Sequence, residues 1–172
     1  MRIEVYTDGS CNPNPGNGGW AWIEYHISGD SSISFCDYGG MKNTTSPRME
    51  MTAILEYLVS LNELKNEHLS KHIYIYSDNE YCVNTLVSED EPLLSIPGKY
   101  SGWIKGWIKN DYKGKKNVDL WKKIDVVFRK LLKRGYEFEI HHVYGHSTCD
   151  GNNEVDRLAN IGRIKFDHFS QI

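Results

Sequence analysis

Two apolar stretches of this chain run straight into a carboxylate. Val5-Tyr6-Thr7-Asp8 and Ile75-Tyr76-Ser77-Asp78 read as short strands whose last residue is an acid. A lone carboxylate at the border of a core is costly to keep ionised. Any fold for this chain must therefore supply it with a turn, a cap, a counter-charge or a metal. YTDGSCNPNPGNGGW, residues 6–20, follows the first acid with Gly, Asn and Pro, so Asp8-Gly9 also reads as a turn.

The neighbouring patterns place these acids. Arg2 to Asp8 alternates as a strand, and 18–28 and 31–40, joined at Gly29-Asp30, predict two more antiparallel strands. Ser46-Pro47 signals a helix start, a capping hydroxyl followed by Pro at the first helical position, with Met51, Ile54, Leu55, Leu58 and Leu61 forming one apolar stripe. His72 to Tyr76 predicts a fourth strand, followed by a short helix from about Asn79 to Leu86. Residues 87–100, with two prolines and an acidic cluster, read as a loop. Trp103, Ile104, Trp107 and Ile108 open a helical segment. Leu120, Trp121, Ile124, Val127, Phe128, Leu131 and Leu132 form an amphipathic helix that stops near Gly135. Tyr136 to Tyr144 predicts a fifth strand, and a last helix begins near Asn152. The order predicts an α/β fold with a five-stranded mixed sheet and helices on both faces.

Length and composition fit one domain over 1–172 with a proper core, and no apolar run approaches a membrane span. Four scattered cysteines without a CxxC pair, and an amino end lacking a signal-peptide pattern, lead us to expect a cytoplasmic protein with reduced thiols. The net charge is −3, but residues 101–123 hold seven lysines against two aspartates. That segment carries +5 and the remainder −8, which points to a polyanion handled at one place.

Four acids stand at the edge of predicted core elements: Asp8, Asp78, Glu50 in the first turn of the long helix just before its stripe, and Asp156 in the first turn of the last helix. Singly, each has an ordinary explanation as turn residue, helix-dipole partner or cap. Together they are an oxygen donor set suited to Mg²⁺ or Mn²⁺. His141, His142, His146 and Cys149 also suggest zinc, but adjacent strand residues point to opposite faces, so His141 and His142 are poorly placed to share a metal.

YTDGSC, TTSPRMEMTA, IYSDNEYCVN and YGHSTCDGNNEVDRLA, in this order along the chain, resemble the ribonuclease HI family. NVDLWKKID resembles the helix that follows that family's basic protrusion. The resemblance implies the ribonuclease H-like fold. It also implies two-metal hydrolysis of the RNA strand of RNA–DNA hybrids, leaving 3′-hydroxyl and 5′-phosphate ends. The metal-binding tetrad would fall on Asp8, Glu50, Asp78 and Asp156, with two Mg²⁺ (or Mn²⁺) per site and Asp8 touching both. His146 matches the family's catalytic-loop histidine. Trp103 and Trp107 within the protrusion, about 101–123, would line the DNA channel, whereas Trp121 lies in a core stripe. Thr45 and Asn117 match positions that hold a DNA phosphate, and Asn14 matches an RNA-contacting Asn. The partner expected is hybrid duplex, with no membrane and no obligate protein, so a monomer.

The chain departs from the family pattern at Ser46-Pro47, where relatives carry paired amides, at Glu80, a frequent Gln, and at Asn43, a frequent Arg beside Lys42. The protrusion is shortened and 87–100 looks inserted. Two other readings compete: a non-catalytic hybrid-binding module, and a DNA-acting nuclease on the same fold.

Overall fold

The computed structural model describes residues 1–64, 70–144 and 150–169, with side chains described as far as 166. His146 and Cys149 lie outside the described residues. Among the described residues six strands, β1 (Arg2–Cys11), β2 (Gly16–Ser28), β3 (Ser31–Thr44), β4 (His72–Ser77), β5 (Leu93–Leu94) and β6 (Glu137–His142), form one sheet in the order β3-β2-β1-β4-β6-β5. β1 pairs antiparallel with β2 and parallel with β4, and β4 pairs parallel with β6, so the sheet is mixed.

The count corrects the expected five strands. Leu93-Leu94 pairs antiparallel with β6 inside the stretch read as a loop. Two residues are too few to show a period, and the flanking Pro92 and Pro97 hide them. β1 also continues three residues past Asp8, which faces Ala21 in the ladder rather than starting a turn. Gly-rich sequence is here the edge of a strand, because Gly9 is needed for packing and not for chain reversal.

The helices are α1 (Ser46–Glu63), α2 (Glu80–Leu86), α3 (Ile104–Lys109), α4 (Val118–Lys133) and α5 (Asp150–Phe169). Alternation along β1 splits the core. Ile3 and Val5 face the larger cluster beneath α1, α2 and α4, whereas Tyr6 packs with Ala21, Ile23, Val155, Leu158 and Ala159 beneath α5. Helices thus cover both faces. Trp121, Ile124, Phe128 and Leu131 of α4 are fully buried, each worth roughly 1.5–3 kcal/mol of apolar burial. Gly135 at φ +85° ends this helix, with Gly135 N donating to Leu132 O at 3.0 Å and Tyr136 N to Leu131 O at 3.2 Å.

Helix starts differ from expectation in ways that matter for the acids. Ser46 is the first helical residue, not the cap; Thr45 takes that place in extended conformation without a side-chain bond. The open Ser46 N–H instead donates to Asn14 Oδ1 at 3.2 Å, so the β1–β2 connection supplies the missing acceptor. Glu50 consequently lies beyond the first turn of α1, and Asp156 lies in the second turn of α5, which begins two residues early. Helix-dipole stabilisation fades within one turn, so it does not explain either acid. Asn79, not Asp78, caps α2, accepting from Cys82 N at 2.9 Å.

Candidate active site

Asp8 on β1, Glu50 on α1 and Asp78 at the carboxyl end of β4 meet at one point: each offers a carboxylate oxygen, and the three oxygens lie within 4.8 Å of one another. Parallel β1 and β4 deliver Asp8 and Asp78 in register, since Thr7 pairs with Ser77. The site sits where β1 is flanked by an antiparallel strand on one side and a parallel one on the other, outside the carboxyl ends of the strands.

Gly9 brings Glu50 in. A side-chain carbon at Gly9 would fall on the backbone of Met49 and Glu50, so only glycine lets α1 approach β1 this closely. Its N–H also donates to Asp8 Oδ1 at 2.8 Å. α1 is buried on several sides, from Met49 through Leu55 without interruption, and this puts Glu50 at 8% exposure.

Three acids in so dry a place oppose one another. Burial, then the charge of Asp78, pushes the Asp8 carboxyl up to about 8, with the Gly9 N–H and Glu50 partly offsetting and Asp156 adding to the rise. Burial and the charges of Asp8 and Asp78 hold Glu50 well above the usual carboxylate range. Glu50 Oε2 is buried with no hydrogen-bond partner. Mutual repulsion, a bare buried oxygen and an all-oxygen donor set are together the chemistry that a hard divalent cation relieves.

Asp156 stands outside this triad but close enough for its charge to raise Asp8. Its carboxylate accepts from Asn160 Nδ2 at 3.3 Å, and Ser10 Oγ donates to Asn160 Oδ1 at 2.8 Å. Ser10 therefore links the strand bearing Asp8 to the helix bearing Asp156. The (i, i+4) spacing of Asp156 and Asn160 is the sequence signal of this contact. Asn160→Ala should lower cation affinity of the site, by calorimetry, about 10-fold with the thermal midpoint little changed.

Beside the triad opens a groove of about 980 Å³. Pro47, Asn79, Tyr81, Trp103, Trp107 and Asn117 line it, with Lys113, Lys115 and Lys116 at its rim. Trp103 is 50% exposed, and the Lys115 ammonium sits 5.0 Å from the Trp107 ring centre. Trp121 is fully buried, as expected. Tyr81, unremarked in the sequence, joins the three tryptophans, with ring centres 6.0 to 6.3 Å away. Its signal was an aromatic off the buried Cys82, Val83 and Leu86 stripe of α2. Asn117, at φ +55°, accepts from Arg48 Nη1 at 3.2 Å, and Arg48 pairs with Asp119 at 2.7 Å, tying the starts of α1 and α4 together.

Thr45, at the start of α1, lies two residues before the groove's Pro47, and Asn14, in the β1–β2 connection, reaches the same place through its bond from Ser46 N. Glu80 does not line the groove; it lines a separate cleft of about 290 Å³ with Glu89, His142 and Tyr144. His141 pairs with Glu139 at 2.8 Å, whereas His142 turns to the Asp78 carbonyl at 3.2 Å. The two rings thus have different hydrogen-bond partners, and among the described residues no zinc cluster includes them.

The ribonuclease H family model matches residues 1–163. The chain belongs to the ribonuclease H family. It is 35% identical over 168 residues to the ribonuclease H of Campylobacter jejuni strain 81-176, covering 95% of this chain and 92% of the relative. It is 36% identical over 163 residues to that of Cupriavidus necator, covering 94% and 95%. Among solved structures, LC9-RNase H1, a type 1 RNase H with the type 2 active-site motif, superposes with a TM-score of 0.72 at 17% identity, over 95% of this chain and 72% of that one. LC11-RNase H1 in complex with RNA/DNA hybrid gives 0.65 at 17%, over 95% and 98%. These likenesses establish the ribonuclease H fold. Among the described residues no helix is long and apolar enough to cross a membrane.

Proposed function

We propose that this ribonuclease H family enzyme is an endonuclease that hydrolyses the RNA strand of RNA–DNA hybrids, leaving 3′-hydroxyl and 5′-phosphate ends. The observation that carries the reading is the Asp8–Glu50–Asp78 cluster, with a groove of aromatics and lysines lined by Asn79, the residue next to Asp78. Asp78 directly precedes the groove residue Asn79, and Glu50 lies three residues beyond Pro47. A phosphodiester drawn along the lysines therefore passes the carboxylates.

Asp8, Glu50, Asp78 and Asp156 would hold the divalent cations, Mg²⁺ or Mn²⁺. Such a pair lowers the pKa of an attacking water and stabilises the departing 3′-oxygen. The chain's own residues do the rest. The Gly9 N–H and the Ser10–Asn160 link fix the orientation of Asp8 and Asp156. Trp103 and Trp107 present flat apolar faces to deoxyribose, while Lys113, Lys115 and Lys116 meet phosphates. Asn14, Thr45 and Asn117 would hold the strands at the helix starts. His146 exchanges a proton with water or product at its imidazole nitrogen. The enzyme reads the hybrid's shape and 2′-hydroxyls rather than its sequence, acts as a monomer and works in the cytoplasm.

Labelled RNA–DNA hybrid, RNA duplex and DNA duplex incubated with Mg²⁺, with and without EDTA, test this. Cleavage of the hybrid's RNA strand alone, abolished by EDTA, is expected. Cleavage of duplex DNA, or binding of hybrid without cleavage, would overturn it in favour of the two competing readings. Trp103→Ala should raise KM for hybrid roughly 10-fold with kcat nearly unchanged, because one stacked face is worth about 1–3 kcal/mol of binding.

A further inference from the structure

The seven lysines of residues 101–123 do not share one surface. Lys113, Lys115 and Lys116 rim the groove. Lys105 and Lys109, one turn apart on α3, lie with Lys99 around a second cleft of about 430 Å³, whose other walls are Glu91, Gly98, Tyr100 and Ile108. Residues of α3 divide accordingly: Gly106 and Trp107 line the groove, Lys105, Ile108 and Lys109 the cleft. The 87–100 stretch supplies Glu91, Gly98, Lys99 and Tyr100 of the cleft's lining.

That stretch is held firmly. Tyr100 is 2% exposed and its hydroxyl donates to Asp125 Oδ1 of α4 at 2.6 Å. Arg129 Nε bonds the same carboxylate at 2.8 Å, and its guanidinium fills the space against Gly98, which sits at φ +75°. Ser101 Oγ donates to the Glu91 carbonyl at 2.6 Å and accepts from Ser88 N at 2.9 Å. None of Lys99, Lys105 and Lys109 makes an ion pair among the described residues. Three unpaired ammonium groups around one fixed concavity, against Glu91 alone, leave a local charge of +2.

We propose that this cleft is a second anion site, separate from the hybrid groove, that takes two or more linked phosphates. The occupant the layout favours is a nucleic-acid strand outside the hybrid, such as the DNA strand displaced where RNA has invaded a duplex. Neighbouring side chains one helical turn apart meet successive charges on a polyanion, and α3 would then separate this strand from the hybrid. The choice of strand rests on the function proposed above; the anion site does not.

Fluorescence anisotropy of a labelled 15-nucleotide single-stranded DNA, in EDTA so that no cleavage occurs, tests it across a salt series. Lys105→Glu with Lys109→Glu should weaken binding at least 10-fold and flatten the log K against log salt slope by about 0.7 per lost phosphate contact. Sodium tripolyphosphate should compete for the wild-type cleft. Lys99→Glu should leave KM for a plain hybrid unchanged but raise it several-fold for a hybrid carrying a displaced strand. Competition by tripolyphosphate without any displaced-strand effect would assign the cleft to free phosphate chains, keeping the anion site. Equal strand affinity, equal slope and no competition would overturn the proposal. Failure of wild-type protein to cleave hybrid would count against the enzymatic reading alone, because the anisotropy does not depend on it.

Discussion

Asp8→Asn is expected to cut hybrid cleavage by about 10³-fold or more, the equivalent of roughly 4 kcal/mol of transition-state stabilisation. The substitution keeps the side chain's shape, and the Asn oxygen can still accept from the Gly9 N–H now held at 2.8 Å. What it removes is one carboxylate of the Asp8–Glu50–Asp78 cluster. The same change should make the metal-free protein more stable, and the sign follows from proton binding. In the folded state the Asp8 carboxyl titrates near 8 against 3.8 for a free side chain, and Glu50 is raised in the same direction. Between those pH values the native state holds protons that the unfolded chain has released. The contribution of these two groups to stability is therefore full below about pH 4 and is lost progressively as pH rises towards 8. For Asp8 the shift sets an upper figure of roughly 5–6 kcal/mol for this loss. Asp8→Asn should flatten this decline, and added Mg²⁺ should reverse it in wild type but not in the variant. Chemical denaturation at pH 5 and pH 8, with EDTA or with Mg²⁺, reads both effects. Equal pH dependence in the two proteins would show that the acids are not strained by one another.

Gly9→Ala is expected to damage folding and activity together. The added carbon meets the backbone of Met49 and Glu50, which cannot rotate away as a flexible side chain could. Either β1 or the start of α1 must move. Overpacking of this kind costs about 1–3 kcal/mol, which for a chain of this size lowers the thermal midpoint by roughly 5–10 °C. Any retreat of α1 carries Glu50 away from Asp8, and a displacement near 1 Å can cost about 10²-fold in rate. Gly106→Ala is the matched control: nothing lies within 4 Å of the added carbon, and Ala favours the helix. Its midpoint should be unchanged or slightly higher. A Gly9→Ala protein with wild-type melting and cleavage would contradict the packing account of how Glu50 reaches the site.

These two residues also mark what could be read before the fold was known. The acids were legible because each breaks a local rule: a carboxylate where a strand or an apolar helix stripe should continue. Trp121 and the α4 stripe were legible by period. The role of Gly9 was not, since Asp-Gly is equally a turn signal and only the approach of α1, some 40 residues later, decides between them. Leu93-Leu94 escaped because pairing with β6 is a tertiary event that two residues do not announce. Ser46 was misread as a cap because its acceptor, Asn14, comes from a distant connection. The division of the lysines into two sets was hidden for the same reason: charge counts along the chain carry no information about which side of a short helix each residue occupies.

The most direct test of the central claim is anomalous scattering from Mn²⁺ in crystals of the protein with RNA–DNA hybrid. The account predicts manganese at the carboxylates of Asp8, Glu50, Asp78 and Asp156, the residues that would hold it. Crystals with hybrid in the groove and manganese absent from these carboxylates, or bound only elsewhere on the protein, would contradict it.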